Sequence, residues 1–159
     1  MSGRNSGGFT LIELLVTLAV LSVLASLTVP MAQVMVQRHK EQELRVALRS
    51  IRGAIDAYKR ASDEGRIRRN VGETGYPRTL ALLVEGEPDL RDPKRRMIYF
   101  LRELPRDPTL ADPLIEADKT WKLRSYASEP ADPQPGDDVY DLRSTSNAIG
   151  LNGVPYSQW

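Results

Sequence analysis

The chain has 159 residues, with 22 Lys and Arg against 21 Asp and Glu, one His and no Cys. A formal charge of +1 gives no bulk attraction for nucleic acid, and the absence of thiols removes disulfides, thiolate nucleophiles and cysteine metal sites. This length holds an apolar anchor, a helical stalk and one domain of roughly 90 to 100 residues with a modest core.

Residues 1–8 are small and polar with a single base, Arg4, and read as a leader. From Phe9 an apolar run begins, and between Glu13 and Arg38 no residue carries a charge. Roughly two dozen residues at about 1.5 Å of rise each reach across a hydrocarbon core of about 30 Å, so residues 9–37 are expected to form a membrane-spanning helix. The run exceeds the about 7 to 15 apolar residues of a secretory signal peptide, and no small-residue cleavage signal follows it. Glu13 is the anomaly, because a carboxylate in such a helix costs on the order of 2.5 to 3.5 kcal/mol at the bilayer centre. Two readings stand. Thr10-Leu11-Ile12-Glu13 fits a capping box. If the chain is cut after Gly8, Phe9 gains an ammonium one turn from Glu13, whose carboxylate can pair with the ammonium of a neighbouring chain.

Pro30 lies inside the span and is expected to kink it, freeing the Ser26 carbonyl, with Ser22, Ser26 and Thr28 near enough to bond freed backbone groups. A tolerated kink and a segment that stretches during assembly both fit. The lone His39 has no constellation around it that would make it a base or ligand and reads as solvated. Residues 38–62 continue as an amphipathic stalk: Leu44, Ala47, Leu48, Ile51, Ala54, Ile55 and Tyr58 recur at helical spacing, with Arg45, Arg49, Arg52, Asp56, Lys59 and Arg60 opposite. Asp63-Glu64-Gly65 is a stop signal.

Residues 63–159 are expected to form a small α+β domain. A linker with Arg66, Arg68 and Arg69 leads to Tyr76-Pro77 and a short helix, Arg78 to Glu85, that would turn Leu80, Leu83 and Val84 inward before Gly86 and Pro88 end it. Arg91, Lys94, Arg95 and Arg96 read as solvated loop charge, since only Tyr99 and Phe100 supply aromatic character and Ile98 to Leu101 reads as buried chain. Trp121 to Ser128 alternates like a half-buried strand, and Asp138 to Ser144 is a second one with Tyr140 and Leu142 on its inner face. A further strand near Ile98 would complete a small antiparallel sheet against the stalk. The acidic loop between the strands, with Glu129, Asp132, Asp137 and Asp138, suits either solubility or docking on the stalk or basic loop of another copy. Pro155, Tyr156 and Trp159 are expected to lock the chain end onto the domain.

Gly8-Phe9-Thr10-Leu11-Ile12-Glu13-Leu14-Leu15-Val16 ahead of an apolar helix resembles the class III leader junction of type IV pilins and type II secretion pseudopilins. Gly75-Tyr76-Pro77, the leucine-rich helix and Leu104-Pro105-Arg106-Asp107-Pro108 are similar to the body of the major pseudopilin. That subfamily usually continues with Trp-Gly, whereas here Thr109-Leu110-Ala111 leads to a second Asp112-Pro113. The resemblance implies a pilin-like α+β fold, the long helix packed on a small antiparallel sheet. It implies cleavage between Gly8 and Phe9 by a prepilin peptidase, N-methylation of Phe9, and a role for Glu13 in subunit registration; Pro30 falls where many members have a distorting proline. It also implies a non-enzymatic subunit in the bacterial inner membrane that polymerises with itself and other pseudopilins on an inner-membrane assembly platform. The product would be a periplasmic fibre driving secretion of folded proteins, with lipid as the partner before assembly and no nucleic acid. The alternatives are a minor pilin-like subunit of a type IV pilus or DNA-uptake machine, and a membrane-tethered enzyme.

Two features cut across the resemblance. Arg4 stands alone ahead of the span while Arg38, Lys40 and Arg45 follow it, so counting bases would put the body in the cytoplasm, whereas the resemblance puts it in the periplasm. Major pseudopilins commonly bind calcium after the final strand, but residues 144–153 contain no acid. Calcium takes six to eight oxygens with formal charge among them. No metal or other cofactor is therefore expected, with calcium on Asp141, Ser144, Ser146 and Asn147 as the alternative.

Overall fold

A computed structural model describes residues 8–159, apart from the side chains of residues 26–30. The fold is α+β, a long N-terminal helix with small antiparallel sheets, as in pilin-like proteins. By internal contacts the chain divides into two compact units, one ending at Arg38 and the other covering His39–Trp159.

Helix α1 runs Leu11–Asp63. The whole apolar stripe of its second half is buried: Leu44 and Ile51 are fully enclosed, and Ala47, Leu48, Ala54, Ile55 and Tyr58 are nearly so. The helix ends where the sequence says it should. Gly65 takes φ 67°, its N–H bonds the Ser62 carbonyl at 3.0 Å, and the Arg66 N–H reaches back to Ala61 at 2.8 Å. This paired closure satisfies carbonyls the helix leaves open and needs a residue at ease with positive φ. Ile67 then drops into the core.

Three charged residues of α1 do more than meet solvent. The Arg52 guanidinium donates to Asp141 Oδ1 at 2.8 Å, the Leu142 carbonyl at 3.0 Å and the Trp159 carbonyl at 2.9 Å. The Arg45 guanidinium lies 4.6 Å from the centre of the Trp159 ring. Glu41 is buried and accepts the Leu151 N–H at 2.6 Å and the Tyr156 hydroxyl at 3.0 Å. Buried Tyr156 and half-buried Trp159 thus hold the C-terminal segment onto α1 through charged residues as well as packing.

Helix α2 covers only Ala81–Glu85, three residues shorter at its start than the sequence suggests. Pro77 is buried, and its carbonyl accepts the Val139 N–H at 2.7 Å, which holds residues 77–80 in a turn. Leu80 and Leu83 are buried and Val84 is half-buried. Gly86 ends α2 at φ 77°; a side chain there would stand 2.6 Å from the Ile98 carbonyl oxygen, so the next hairpin can approach only a glycine.

That hairpin pairs β1 (Glu87–Pro88) with β2 (Met97–Ile98), antiparallel with Glu87 opposite Ile98. Strand β3 (Trp121–Arg124) pairs with β4 (Asp141–Ser144), Leu123 opposite Leu142. The strand near Ile98 therefore belongs to a separate two-stranded sheet rather than to the β3–β4 sheet. Ile98 to Leu101 is only partly covered, with Tyr99 64% exposed, because the Phe100 and Leu101 N–H groups both bond the Leu83 carbonyl and turn the chain along α2.

Both longer strands are shorter than expected. Ser125 leaves β3 to bond the Gln134 carbonyl, and Val139 is diverted to Pro77. The inner face of β4 is consequently Leu142 and Ser144, not Tyr140 and Leu142. Tyr140 is half-buried and sits edge-on to Tyr76 and Tyr126, with ring centres 5.1 and 5.4 Å away, while Val139 takes the core position.

Candidate functional site

The candidate site is the start of α1. Gly8 and Phe9 lie ahead of the helix in no regular structure, and Phe9 is 76% exposed. A side chain built on Gly8 would meet nothing within 4 Å. The peptide bond between them thus lies in accessible chain outside regular structure, which suits it to cleavage by a peptidase.

Thr10 caps the helix. Its hydroxyl accepts the Glu13 N–H at 3.3 Å, and its carbonyl takes the Glu13 and Leu14 N–H groups at 3.1 and 3.2 Å. Only the Thr10 half of the capping box forms, because the Glu13 carboxylate makes no hydrogen bond or ion pair among the described residues. It stands exposed at the first turn. The capping reading therefore accounts for Thr10 but leaves the acid of Glu13 without a partner among the described residues.

The side chains that follow are suited to an apolar medium. Thr17 returns its hydroxyl to the Leu14 carbonyl at 2.9 Å and Ser22 to Leu18 at 2.7 Å, so neither offers a bare donor outward. Leu11, Ile12, Leu14, Leu18, Leu21 and Val23 are each about 60 to 80% exposed, a continuous greasy sleeve that calls for lipid or other helices around it. Among the described residues no helix is long and apolar enough to cross a membrane; residues 26–30 interrupt the described run. The expected effect of Pro30, with the parts given to Ser26 and Thr28, lies outside the described residues, and Ser22 serves Leu18 rather than a carbonyl freed by the proline.

The residues considered for calcium do not face a common point. Asp141 is committed to Arg52 and also accepts the Leu142 N–H at 2.8 Å. Ser144 donates to Asp107 Oδ2 and accepts the Ser146 N–H at 2.9 Å. The Ser146 hydroxyl accepts from Ala148, while Asn147 is exposed. Among the described residues no group of three or more His, Cys, Asp or Glu is placed to hold a metal ion. His39 is exposed and lies 3.2 Å from Glu43 one turn on, a solvated pair.

Two buried carboxylates were not singled out as internal fasteners by the sequence. Asp107 is 2% exposed and accepts the Thr109 N–H at 2.8 Å, the Thr109 hydroxyl at 2.6 Å and the Ser144 hydroxyl. Asp138 accepts from Ser125, Tyr126 and Thr74. The only local signal is small hydroxyl residues nearby, which is too common to be diagnostic. The Asp138 geometry also removes it from the acidic docking surface, because its carboxylate faces inward.

No curated protein and no solved structure matches the chain. The family model described as Prokaryotic N-terminal methylation motif matches residues 3–29 and supports a type IV pilin-like protein.

Proposed function

We propose that the chain is a pseudopilin, a fibre subunit of a type II protein secretion system. It is made as a single-span inner-membrane precursor with its C-terminal body in the periplasm. A prepilin peptidase cuts between Gly8 and Phe9 and methylates the new amino group of Phe9. Copies then leave the lipid and assemble, with other pseudopilins and on an inner-membrane platform, into a periplasmic fibre that drives secretion of folded proteins. The role is structural, needs no cofactor and involves no nucleic acid.

The observation that carries this reading is the contrast within α1 behind a matched methylation motif. The apolar side chains from Leu11 to Leu24 are exposed, whereas the apolar stripe from Leu44 to Tyr58 is buried against the chain's own domain. An isolated tether needs only the greasy half. Glu13 gives that half a specific use: a carboxylate without a partner among the described residues can meet the Phe9 ammonium of an adjacent subunit in a medium where an uncompensated charge is costly.

Replacing Glu13 by Gln in the host tests this. The variant is expected to be inserted and trimmed yet to assemble poorly, and secretion of folded cargo should fall. Undiminished secretion would contradict the proposal. Intact secretion in a deletion strain that loses surface pili or DNA uptake would assign the subunit to those machines instead.

A further inference from the structure

We propose that adjacent subunits engage through a basic turn on one copy and an acidic loop on the next, an inference that rests on the fibre reading above. The basic turn joins β1 to β2 and is held against the linker after α1. The Leu90 N–H donates to the Arg66 carbonyl at 2.6 Å, and the Arg66 guanidinium donates to Asp89 Oδ2 at 2.6 and 3.1 Å. The acids of this turn are spent on its shape. Asp89 accepts the Arg91 N–H at 3.0 Å, and Asp92 accepts the Lys94 N–H at 3.0 Å and Arg96 Nε at 2.5 Å. Those bonds, from Arg66 first at Asp89 and from Arg96 first at Asp92, hold both carboxyls below the usual range and keep them ionised as turn fasteners.

What remains outward is positive. Arg68, Arg91, Lys94 and Arg95 are exposed, and none of their side chains has a hydrogen bond or ion pair among the described residues. On the stalk Arg45 lies over Trp159, Arg52 holds Asp141 and Lys59 pairs with Asp63 at 2.5 Å, while the Arg49 and Arg60 side chains are exposed without a hydrogen bond or ion pair among the described residues. The sequence alone left the stalk and the basic loop as equal candidates. The clustering of the unbonded bases Arg91, Lys94 and Arg95 in one turn favours the loop.

The acidic face is the loop between β3 and β4. Glu129, Asp132 and Asp137 are exposed there; among the described residues the Asp132 carboxylate accepts only the Gln134 amide, at 2.7 Å, and the other two carboxylates are unpaired. Pro130, Pro133 and Pro135 restrict the loop, and inward-facing Asp138 anchors its base. Arg68 and Asp137 line one cleft of about 1100 Å³, and no ion pair joins the two patches among the described residues. A nearly neutral chain with two separate patches of opposite sign has unlike, complementary surfaces. Such a contact propagates when its rotation does not close a ring, and charge complementarity sets its register.

The chain has no cysteine, which makes the test direct. Two differently tagged full-length copies are expressed together, one carrying Lys94→Cys and the other Asp137→Cys, and treated with a short bis-maleimide. Lys94→Cys against itself is the comparison, and Leu18→Cys on both copies reports packing of the apolar helices. The mixed pair is expected to cross-link about tenfold more than the Lys94→Cys pair. Reversing Arg91, Lys94 and Arg95 to Glu should cut the Leu18→Cys ladder about tenfold, with recovery when Glu129, Asp132 and Asp137 of the other copy become Lys. Both triple variants should melt with the unmodified chain, since every side chain changed is exposed.

A ladder through Leu18→Cys without the mixed cross-link, or a ladder indifferent to charge reversal, overturns this contact and leaves the fibre standing. The mixed cross-link without that ladder supports the contact and overturns the fibre reading. Neither product overturns both.

Discussion

Asp137 and Asp138 are adjacent and chemically identical, yet the structure gives them opposite weight. Asp138 is 7% exposed; its Oδ1 accepts the Ser125 hydroxyl and the Tyr126 N–H, both at 2.8 Å, and its Oδ2 accepts the Thr74 hydroxyl. It therefore ties the linker before α2 to the chain leaving β3. Asp138→Ala leaves three donors without their acceptor. A hydrogen bond to a charged group contributes about 1.5 to 3 kcal/mol, and because the three share one carboxylate the losses do not add, giving about 3 kcal/mol in total. For a unit of this size that corresponds to a fall in Tm of roughly 10 to 15 °C. Asp138→Asn keeps one oxygen for Ser125 and Tyr126 and should lose about 1 kcal/mol. Asp137→Ala removes an exposed side chain without hydrogen bonds among the described residues and should stay within about 0.5 kcal/mol of the unmodified chain. Thermal unfolding of the full chain in detergent, followed by circular dichroism, separates the three. If Asp138→Ala melts together with Asp137→Ala, the fastener assigned to Asp138 does not exist.

Other outcomes follow from the same geometry. Ile51→Ala, at a fully buried position, should cost about 2 to 5 kcal/mol, while Leu14→Ala should leave unfolding of the body unchanged; equal effects would contradict the division of labour along α1. The Asn70 backbone N–H and side-chain amide, with Arg78, hold the Glu73 carboxyl down from 4.5 to about 2. A depressed carboxyl contributes stability that is present above its ordinary value and is lost as pH falls from 4.5 towards about 2. Glu73→Gln should therefore lose less stability across that window, and a carboxyl NMR titration with an ordinary midpoint for Glu73 would refute the assignment. Calcium or a chelator should leave Tm within about 1 °C, since Asp141 and Ser144 are already committed within the chain; stabilisation by several degrees would reverse that reading.

The parts of the molecule that were legible in the sequence are those written locally. The junction at Gly8-Phe9 and the carboxylate of Glu13 stand at fixed spacing ahead of an uncharged run, and the buried stripe from Leu44 to Tyr58 has the period of a helix. The end of α1 follows from Gly65, which alone at that point adopts positive φ without strain. Side chains that fasten distant segments left no such trace. Arg52 occupies a position that periodicity assigns to solvent, and Glu41 is a carboxylate in register with the buried stripe, yet each meets groups about 90 to 115 residues away. Alternation in residues 121–128 and 138–144 continues past the point where Ser125 and Val139 turn to other partners, so the strands are shorter than their pattern and Tyr140 falls outside β4.

The account depends above all on the new amino terminus. Intact-mass measurement of the protein extracted from its native membrane tests it directly. The expected species has lost residues 1–8 and carries one added methyl group on Phe9. A chain that functions while retaining Met1 to Gly8, or that begins at Phe9 with an unmodified amine and assembles normally, would contradict the account.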